Sequence, residues 1–313
     1  MHIIFFGSPR EAARSLETLL SVGHDVVGVY TRPDRSAGRG LAKSPTPVKL
    51  FAEQQGLPVF TPRILDPAIE PDRMVAANAD VFVVVAYGRI LPAELLAVPP
   101  MGVVNVHPSL LPMYRGPSPV VTAILDGQRQ TGVTVMLLDE GMDTGPVLAQ
   151  SPPIVLTGNE RAGELQGRLF EEGAAMLPAV LDGLEDVTIV ATPQDDSKAT
   201  VTRLLARSDG EIDWSLPAEQ IDRMIRAYDP WPGTFTSWND KGLKILDVNL
   251  SGRIDAVDDS GRVIVSGGKL FVGSGSGPLE ITRLQLEGRQ GVSASDFLRG
   301  RPDIDDAVLG VLS

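Results

Sequence analysis

Asn105 and His107 stand two residues apart in the stretch "NVHPSLLPMYRG" (105–116), directly after the strand-like run "MGVVNV". Residues i and i+2 of a strand face the same side of a sheet, so an amide and an imidazole would stand side by side at a strand end. An amide donates hydrogen bonds and an imidazole moves protons near neutrality, so the pair is equipped for polar chemistry. A second candidate is Asp143 in "DEGMDTGPV" (139–147), between Gly141 and Gly145. Each residue also has a plain reading. Asp143 alone fits a turn aspartate that accepts local backbone hydrogen bonds. His107 alone fits a polar residue satisfied at a strand end, and Asn105 a loop brace. Taken together, at strand ends of one domain, the three point to a site.

The elements that must position them follow from pattern. "HIIFF" reads as a buried strand with Gly7 as its turn. Ser8, Pro9 and Glu11 then read as a helix start, with Ser8 as N-cap, Pro9 at the first helical position and Glu11 completing a capping box. Ala12, Ala13, Leu16, Leu19 and Leu20 give that helix its apolar stripe. "DVVGVYT", "PVF", "DVFVVVAYG", "GVVNV" and "TGVTVMLL" read as further strands, with "VKLFAEQQG" as a helix and "NERAGELQGRLFEEGAAMLPAVLDGL" as a long closing one. "DVFVVVAYG" is apolar at nearly every position, the mark of a parallel strand covered on both faces. Alternating strands and helices predict a doubly wound α/β domain over 1–190, with its ligand at the carboxyl ends of the strands.

Beyond that the character changes. Residues 191–207 are polar and weakly periodic and read as a linker. "PAEQIDRMIRAYD" reads as a short helix. From Gly242 onward come "LKILDVNL", "GRVIVSG", "KLFVG" and "LEITRLQL", separated by Gly, Ser and Asp turns, with "GSGSG" (273–277) as a hairpin tip. This spacing predicts a small β-barrel or sandwich in 208–313.

Composition removes several classes of function. The chain has no cysteine, which excludes disulfides and thiolate catalysis and suits a cytoplasmic protein. Its three histidines, His2, His24 and His107, leave little for a metal site, and no metal is expected. No apolar run approaches the roughly 20 residues of a membrane helix, and the first residues show no signal-peptide pattern, so no membrane partner is expected. The turn after the first strand is "GSPREA" rather than G-x-G-x-x-G, and no Walker sequence occurs, so NAD or ATP is not expected in the usual place. A net charge of −12 argues against general nucleic-acid binding. Residues 31–49 are the exception, with Arg32, Arg35, Arg39, Lys43 and Lys49 against Asp34 alone.

"NVHPSLLPMYRG" followed by "TGVTVMLLDEGMDTGPVL" resembles the folate-dependent formyltransferase family. That family carries an Asn-x-His pair, then Ser-Leu-Leu-Pro, then an Asp in a G-x-D-x-G loop. "GHDVVGVYTRPDRSAGRG", "DVFVVVAYGRILP" and "EIDWSLPAEQIDRMIRAYDPWPGTF" are similar to further stretches of it, in order, over nearly the whole chain. Two positions depart from the pattern: Glu11 stands where members acting on charged tRNA often have an aromatic, and Val121 where a Gln is common.

The resemblance implies a Rossmann-like catalytic domain followed by an OB-like domain that holds tRNA. It implies a catalytic trio of Asn105, His107 and Asp143, with Asp143 holding the imidazole in its charged form. It places 10-formyltetrahydrofolate, the formyl donor, on Ser109, Leu110, Leu111 and Pro112 and on Tyr87, Gly88, Ile90 and Leu91. The basic loop, through Arg35, Arg39 and Lys43, would meet charged initiator tRNA, and the protein would act as a monomer. Relatives that formylate a sugar-nucleotide amine or glycinamide ribotide, or hydrolyse formyltetrahydrofolate, are the alternatives, beside a folate- or RNA-binding module without activity. The intact trio speaks against the last. The β-rich second domain speaks against the glycinamide enzyme, and the basic loop against the sugar-nucleotide enzyme and the hydrolase. The second domain has 11 basic and 17 acidic residues, so any RNA contact there is confined to a patch.

Overall fold

The computed structural model describes residues 1–37, 42–250 and 259–310, with the backbone alone for 35–37 and 42–43. The chain divides into two compact units. The first takes in Met1–Pro119, Gln130–Val155 and Leu165–Arg203; the second takes in Val120–Arg129, Leu156–Glu164 and the chain from Leu204.

The first unit is built on β1 (His2–Gly7), α1 (Arg10–Ser21), β2 (Asp25–Tyr30), the small hairpin β3 (Arg35–Ala37) and β4 (Ala42–Ser44), α2 (Pro47–Gln54) and β5 (Val59–Phe60). It continues through α3 (Glu70–Ala76), β6 (Val81–Val85), α4 (Ala93–Leu96) and β7 (Val103–His107); α5 (Pro119–Leu125), which follows in the chain, falls in the second unit from Val120 on. Then come β8 (Gln130–Thr131), β9 (Thr134–Leu137), β10 (Val147–Gln150), β11 (Ile154–Val155) and the long α6 (Ala162–Glu185). Seven of these strands form one sheet in the order β10-β9-β7-β6-β1-β2-β5. The stretch from β7 to β5 is parallel, and β9 and β10 are added antiparallel. Every residue of β6 is buried, as its unbroken apolar sequence requires of a strand covered on both faces. The chain runs outward from β1 to β2 and β5, then returns to place β6 on the other side of β1. The carboxyl ends of β1 and β6 therefore flank the switch point where such sheets open a crevice, with the end of β7 next in line.

One local expectation fails. The N-cap of α1 is Pro9 and no side chain caps the helix. The Ser8 hydroxyl instead accepts hydrogen bonds from the Arg32 N–H (3.3 Å) and the Thr31 hydroxyl (3.4 Å). The neighbouring strand has claimed the oxygen that the capping box needed.

The second unit holds α7 (Ala218–Ala227) and β12 (Thr234–Trp238), β13 (Lys241–Asn249), β14 (Val263–Ser266), β15 (Lys269–Ser274), β16 (Gly277–Leu286), β17 (Val292–Ser293) and α8 (Ala294–Gly300). Its antiparallel sheet runs β12-β13-β16-β15-β14, with β17 beside β16. The "GSGSG" stretch joins β15 to β16 as a hairpin. Strand alternation turns Leu243, Ile245, Leu270, Val272 and Ile281 inward onto Ile221 and Ile225 of α7 and onto Trp214. This is the small β domain that the short strands and turns predict.

Candidate active site

Asn105 lies inside β7 and His107 ends it; Asn105 pairs with Val84 of β6 and Met136 of β9, and His107 with Thr134 of β9. His107 is 4% exposed. Its Nε2 lies 2.9 Å from the carbonyl oxygen of Tyr114. A carbonyl only accepts, so Nε2 carries the hydrogen and donates it. Nδ1 is then the nitrogen open to chemistry, 3.6 Å from Oδ2 of Asp143. Burial lowers the His107 pKa below its ordinary 6.5, while the Asp143 carboxylate and the Tyr114 carbonyl pull it upward. Desolvation is the larger effect. The expected charged imidazole is corrected to a neutral one, because so little water reaches the ring.

Asp143 sits in the loop 138–146 between β9 and β10, which a set of short bonds shapes. Asp139 Oδ1 accepts from the Gly141 N–H (3.0 Å) and the Thr144 hydroxyl (2.7 Å). A Cβ on Gly145 would overlap the Leu137 carbonyl, so only glycine lets the loop close there. Asp143 has a left-handed backbone (φ 54°), and its Oδ2 accepts the Gly116 N–H at 2.7 Å. Tyr114 (φ 60°) and Ala86 (φ 47°), just after β6, are left-handed too. Non-glycine residues hold such conformations only where their surroundings enforce them, and they concentrate at working sites.

The Ser-Leu-Leu-Pro run forms a tight turn. The Ser109 hydroxyl donates to the Met113 carbonyl (2.7 Å), and Ser109 is itself buried. The Leu111 N–H donates to the Thr134 hydroxyl (3.0 Å), and its carbonyl accepts from Gln150 Nε2 (2.7 Å). Leu110 and Pro112 are half-buried and keep surface to offer. In 87–92, Gly88 and Ile90 are exposed, whereas Leu91 is buried and the Tyr87 ring packs edge-on against Phe6 at 5.5 Å. Burial raises the Tyr87 phenol pKa, with Arg89 opposing it. Arg32 Nη2 donates to the Gly88 carbonyl, a tie across the crevice.

Arg39 lies outside the described residues, and Arg35 and Lys43 are known only as backbone of β3 and β4. The base of that hairpin is fixed by Lys49 paired with Asp34 (2.9 Å) and by the Thr31 and Thr46 hydroxyls at 2.6 Å. Among the described residues no group of three or more His, Cys, Asp or Glu could hold a metal ion, and no helix is long and apolar enough to cross a membrane.

Sequence reasoning passed over Tyr114, Arg115, Gly116 and Gln194. The first three directly follow the Ser-Leu-Leu-Pro-Met run, so proximity to His107 was a usable signal. Gln194 had none, because it lies in the stretch that reads as a linker. Its Nε2 donates to the carbonyls of Asp143 (2.8 Å) and Gly145 (2.7 Å). Residues 192–202 are bonded along their length to the first unit, which is not how a linker behaves.

A neutral imidazole with one open nitrogen, a carboxylate beside it and an amide two residues away on the same strand can take a proton from a nucleophile and steady an oxyanion. Comparison with known proteins gives the family. The Formyl transferase family model matches residues 1–181, and the Formyl transferase, C-terminal domain model matches 204–302. A methionyl-tRNA formyltransferase of Chloroflexus aurantiacus is 46% identical over 302 residues, covering 96% of this chain and 97% of its own. One of Roseiflexus sp. is 47% identical over 302 residues, covering 96% of this chain and 92% of its own. The structure of HypX from Aquifex aeolicus in complex with tetrahydrofolic acid aligns with a TM-score of 0.65 at 17% identity, over 95% of this chain and 46% of that one, a likeness of fold.

Proposed function

The chain belongs to the formyl transferase family, and we propose that it transfers a formyl group from 10-formyltetrahydrofolate to the amino group of methionyl initiator tRNA, for translation initiation. The observation that carries this reading is the buried His107–Asp143 pair beside Asn105, in a chain that matches methionyl-tRNA formyltransferases almost end to end.

The chemistry divides among the three residues. The amino nitrogen attacks the formyl carbon, and the carbonyl oxygen takes the negative charge. Asn105 donates to that oxygen through its amide; one such donor is commonly worth about 2.7–4 kcal/mol. His107 accepts the proton that the amine loses, at Nδ1, directly or through a water. Asp143 then steadies the imidazolium. The tetrahedral species collapses by breaking the bond from carbon to the folate nitrogen, and the same proton passes to that nitrogen as it leaves. Nδ1 has this task because the Tyr114 carbonyl occupies Nε2.

Leu110, Pro112 and Ile90 offer apolar surface to the flat pteridine, and the backbone around Gly88 reads its polar edge. Tyr87, Ser109, Leu111 and Leu91 shape that wall from behind. Arg35, Arg39 and Lys43 meet phosphates of the acceptor stem. Residues 1–190 act as the catalytic domain, 191–207 join it to the next, and 208–313 hold the acceptor arm through a few basic side chains, as an OB-like domain can. The protein acts as a monomer in the cytoplasm.

The test supplies the pure protein with formyl donor and, in separate reactions, charged initiator tRNA, a sugar-nucleotide amine or no acceptor. Formylmethionyl-tRNA is the expected product. Formylation of the sugar amine, or release of formate without an acceptor, would overturn the reading. Arg39→Ala should raise KM for the charged tRNA and leave folate binding intact, and tRNA affinity should fall steeply with salt, because releasing counterions gains less free energy as the salt concentration rises.

A further inference from the structure

Residues 192–202 have no part in the reaction just described, yet they bond to Asp143 and to Tyr114, the residue that holds His107. Thr192 and Val147 exchange backbone bonds, both at 2.8 Å, which fixes the segment to β10. Gln194 then reaches past that attachment to the loop of Asp143, donating both N–H groups to the carbonyls of Asp143 and Gly145. Its Oε1 accepts from Arg115 Nε at 3.0 Å, and Arg115 Nη2 pairs with Asp196 at 2.7 Å. The orientation of the amide is thus set by the guanidinium. Farther along, the Thr200 hydroxyl accepts the Tyr114 N–H (2.7 Å), and the Thr200 carbonyl accepts the Arg115 N–H (2.9 Å). Tyr114 is the residue whose carbonyl holds His107. The two anchored residues, Tyr114 and Asp143, both have left-handed backbones. Such conformations revert unless surrounding contacts hold them.

We propose that 192–202 is a strap that sets the separation of His107 and Asp143, with Gln194 as its positioning residue. The proposal rests on the reading of that pair as the proton-transfer group. Gln194 does not touch the reacting atoms: with Arg115, Asp139, Thr144 and Asp196 it borders a hollow of about 450 Å³ whose wall includes none of Asn105, His107 and Asp143. It acts through the backbone of the loop instead. The 3.6 Å gap between Nδ1 and Oδ2 is just beyond a hydrogen bond, so a small shift of the loop changes how well the carboxylate steadies an imidazolium.

The experiment uses Gln194→Met in the full chain, a side chain of similar length with no N–H to donate, and Thr200→Val, which exchanges one hydroxyl for a methyl. Single-turnover transfer to methionyl-tRNA, KM for the formyl folate and the NMR titration of the three histidine rings are measured. Gln194→Met should slow transfer by up to about 100-fold, the cost of an ångström-scale misplacement, with KM for the folate unchanged. The His107 titration should move further down, because Asp143 no longer pulls it up. Thr200→Val should change the same readings in the same direction and decides the matter if Gln194→Met does not fold. An unchanged rate with an unchanged His107 titration overturns the proposal. So does a rate loss with the titration unmoved and KM raised in step, which is general loosening. If the wild type fails to formylate methionyl-tRNA, the proposed function falls, and the titration alone still decides for or against the strap.

Discussion

The His107–Asp143 pair in the first unit and the Arg262–Asp306 pair in the second are both ion pairs on paper. The first has side chains 5% and 16% exposed, the second 37% and 81%. Around the first lie left-handed residues, a neutral histidine and a ring of backbone bonds; around the second lies water. The interior of the second unit is apolar, built from residues such as Trp214, Leu243 and Ile281. Burial makes a charge effective in chemistry and costly to the fold, whereas exposure makes it cheap and weak. The first unit accepts that cost where the reaction needs it, and the second derives its stability from apolar packing.

The largest effect expected is on catalysis in the first unit. Asn105→Ala, His107→Ala and Asp143→Ala should each lower the single-turnover rate by about 10²-fold or more. The double variant Asn105→Ala/His107→Ala should be little worse than the poorer single one, since groups that act as a unit do not lose activity additively. Thermal unfolding of His107→Ala should change far less than its rate. Near-normal turnover by the double variant would break the comparison at its functional end.

Next comes stability in the second unit. Leu243 is fully buried among strands and α7. Leu243→Ala should cost about 2–5 kcal/mol by urea unfolding, the sum of lost transfer and an unfilled cavity. Affinity for the formyl folate should survive wherever the variant remains folded. A negligible loss would mean that this core is not what holds the unit.

Legibility in the sequence followed the same division. β6 was readable because one apolar run can be buried on both faces, and the antiparallel strands because their turns carry Gly, Ser and Asp. Asn105 and His107 were readable because strand periodicity is local. Four features were not. Ser8 looked like a cap until the end of β2 took its hydroxyl. Tyr87 looked like a ligand-facing ring, but its neighbours Phe6 and the core are far away in sequence. The strap looked like a linker because its bonds join residues about eighty positions apart, from Arg115 to Gln194 and Asp196, and such bonds leave no period behind. The charge state of His107 was also hidden, since opposing effects of burial and Asp143 can be weighed only in three dimensions.

A smaller effect is expected from pH. The folded His107 pKa is depressed relative to the ordinary 6.5 of an unfolded chain. Between that value and the lower folded one, the unfolded chain takes up a proton that the folded chain refuses. Stability contributed by the neutral ring is therefore complete above about pH 6.5, falls as pH drops through that window, and levels off below the folded pKa. The rate, which needs the neutral ring, should fall only as pH passes the folded value. Urea midpoints at two pH values on either side of 6.5 test this. His107→Gln should reduce the difference between them, and an unaltered difference would assign the pH dependence to other groups.

The smallest effect belongs to Arg262. Its Nε pairs with Asp259 at 3.0 Å and its Nη1 with Asp306, all at the surface. Water already solvates each partner, so losing the pair exchanges one good environment for another, and salt screens what remains. The backbone of Arg262, which accepts the Gly273 N–H at 2.9 Å, is untouched by a side-chain change. Arg262→Gln should leave the urea midpoint and the transfer rate at the wild-type values. Asp143→Asn removes one charge in the same way, from the buried pair, and should cripple the rate. Were the two variants to behave alike, in either direction, exposure would not be what separates the two pairs. If Arg262→Gln alone weakened tRNA use while leaving stability unchanged, the surface around β14 would become the face of the second unit that meets the acceptor arm.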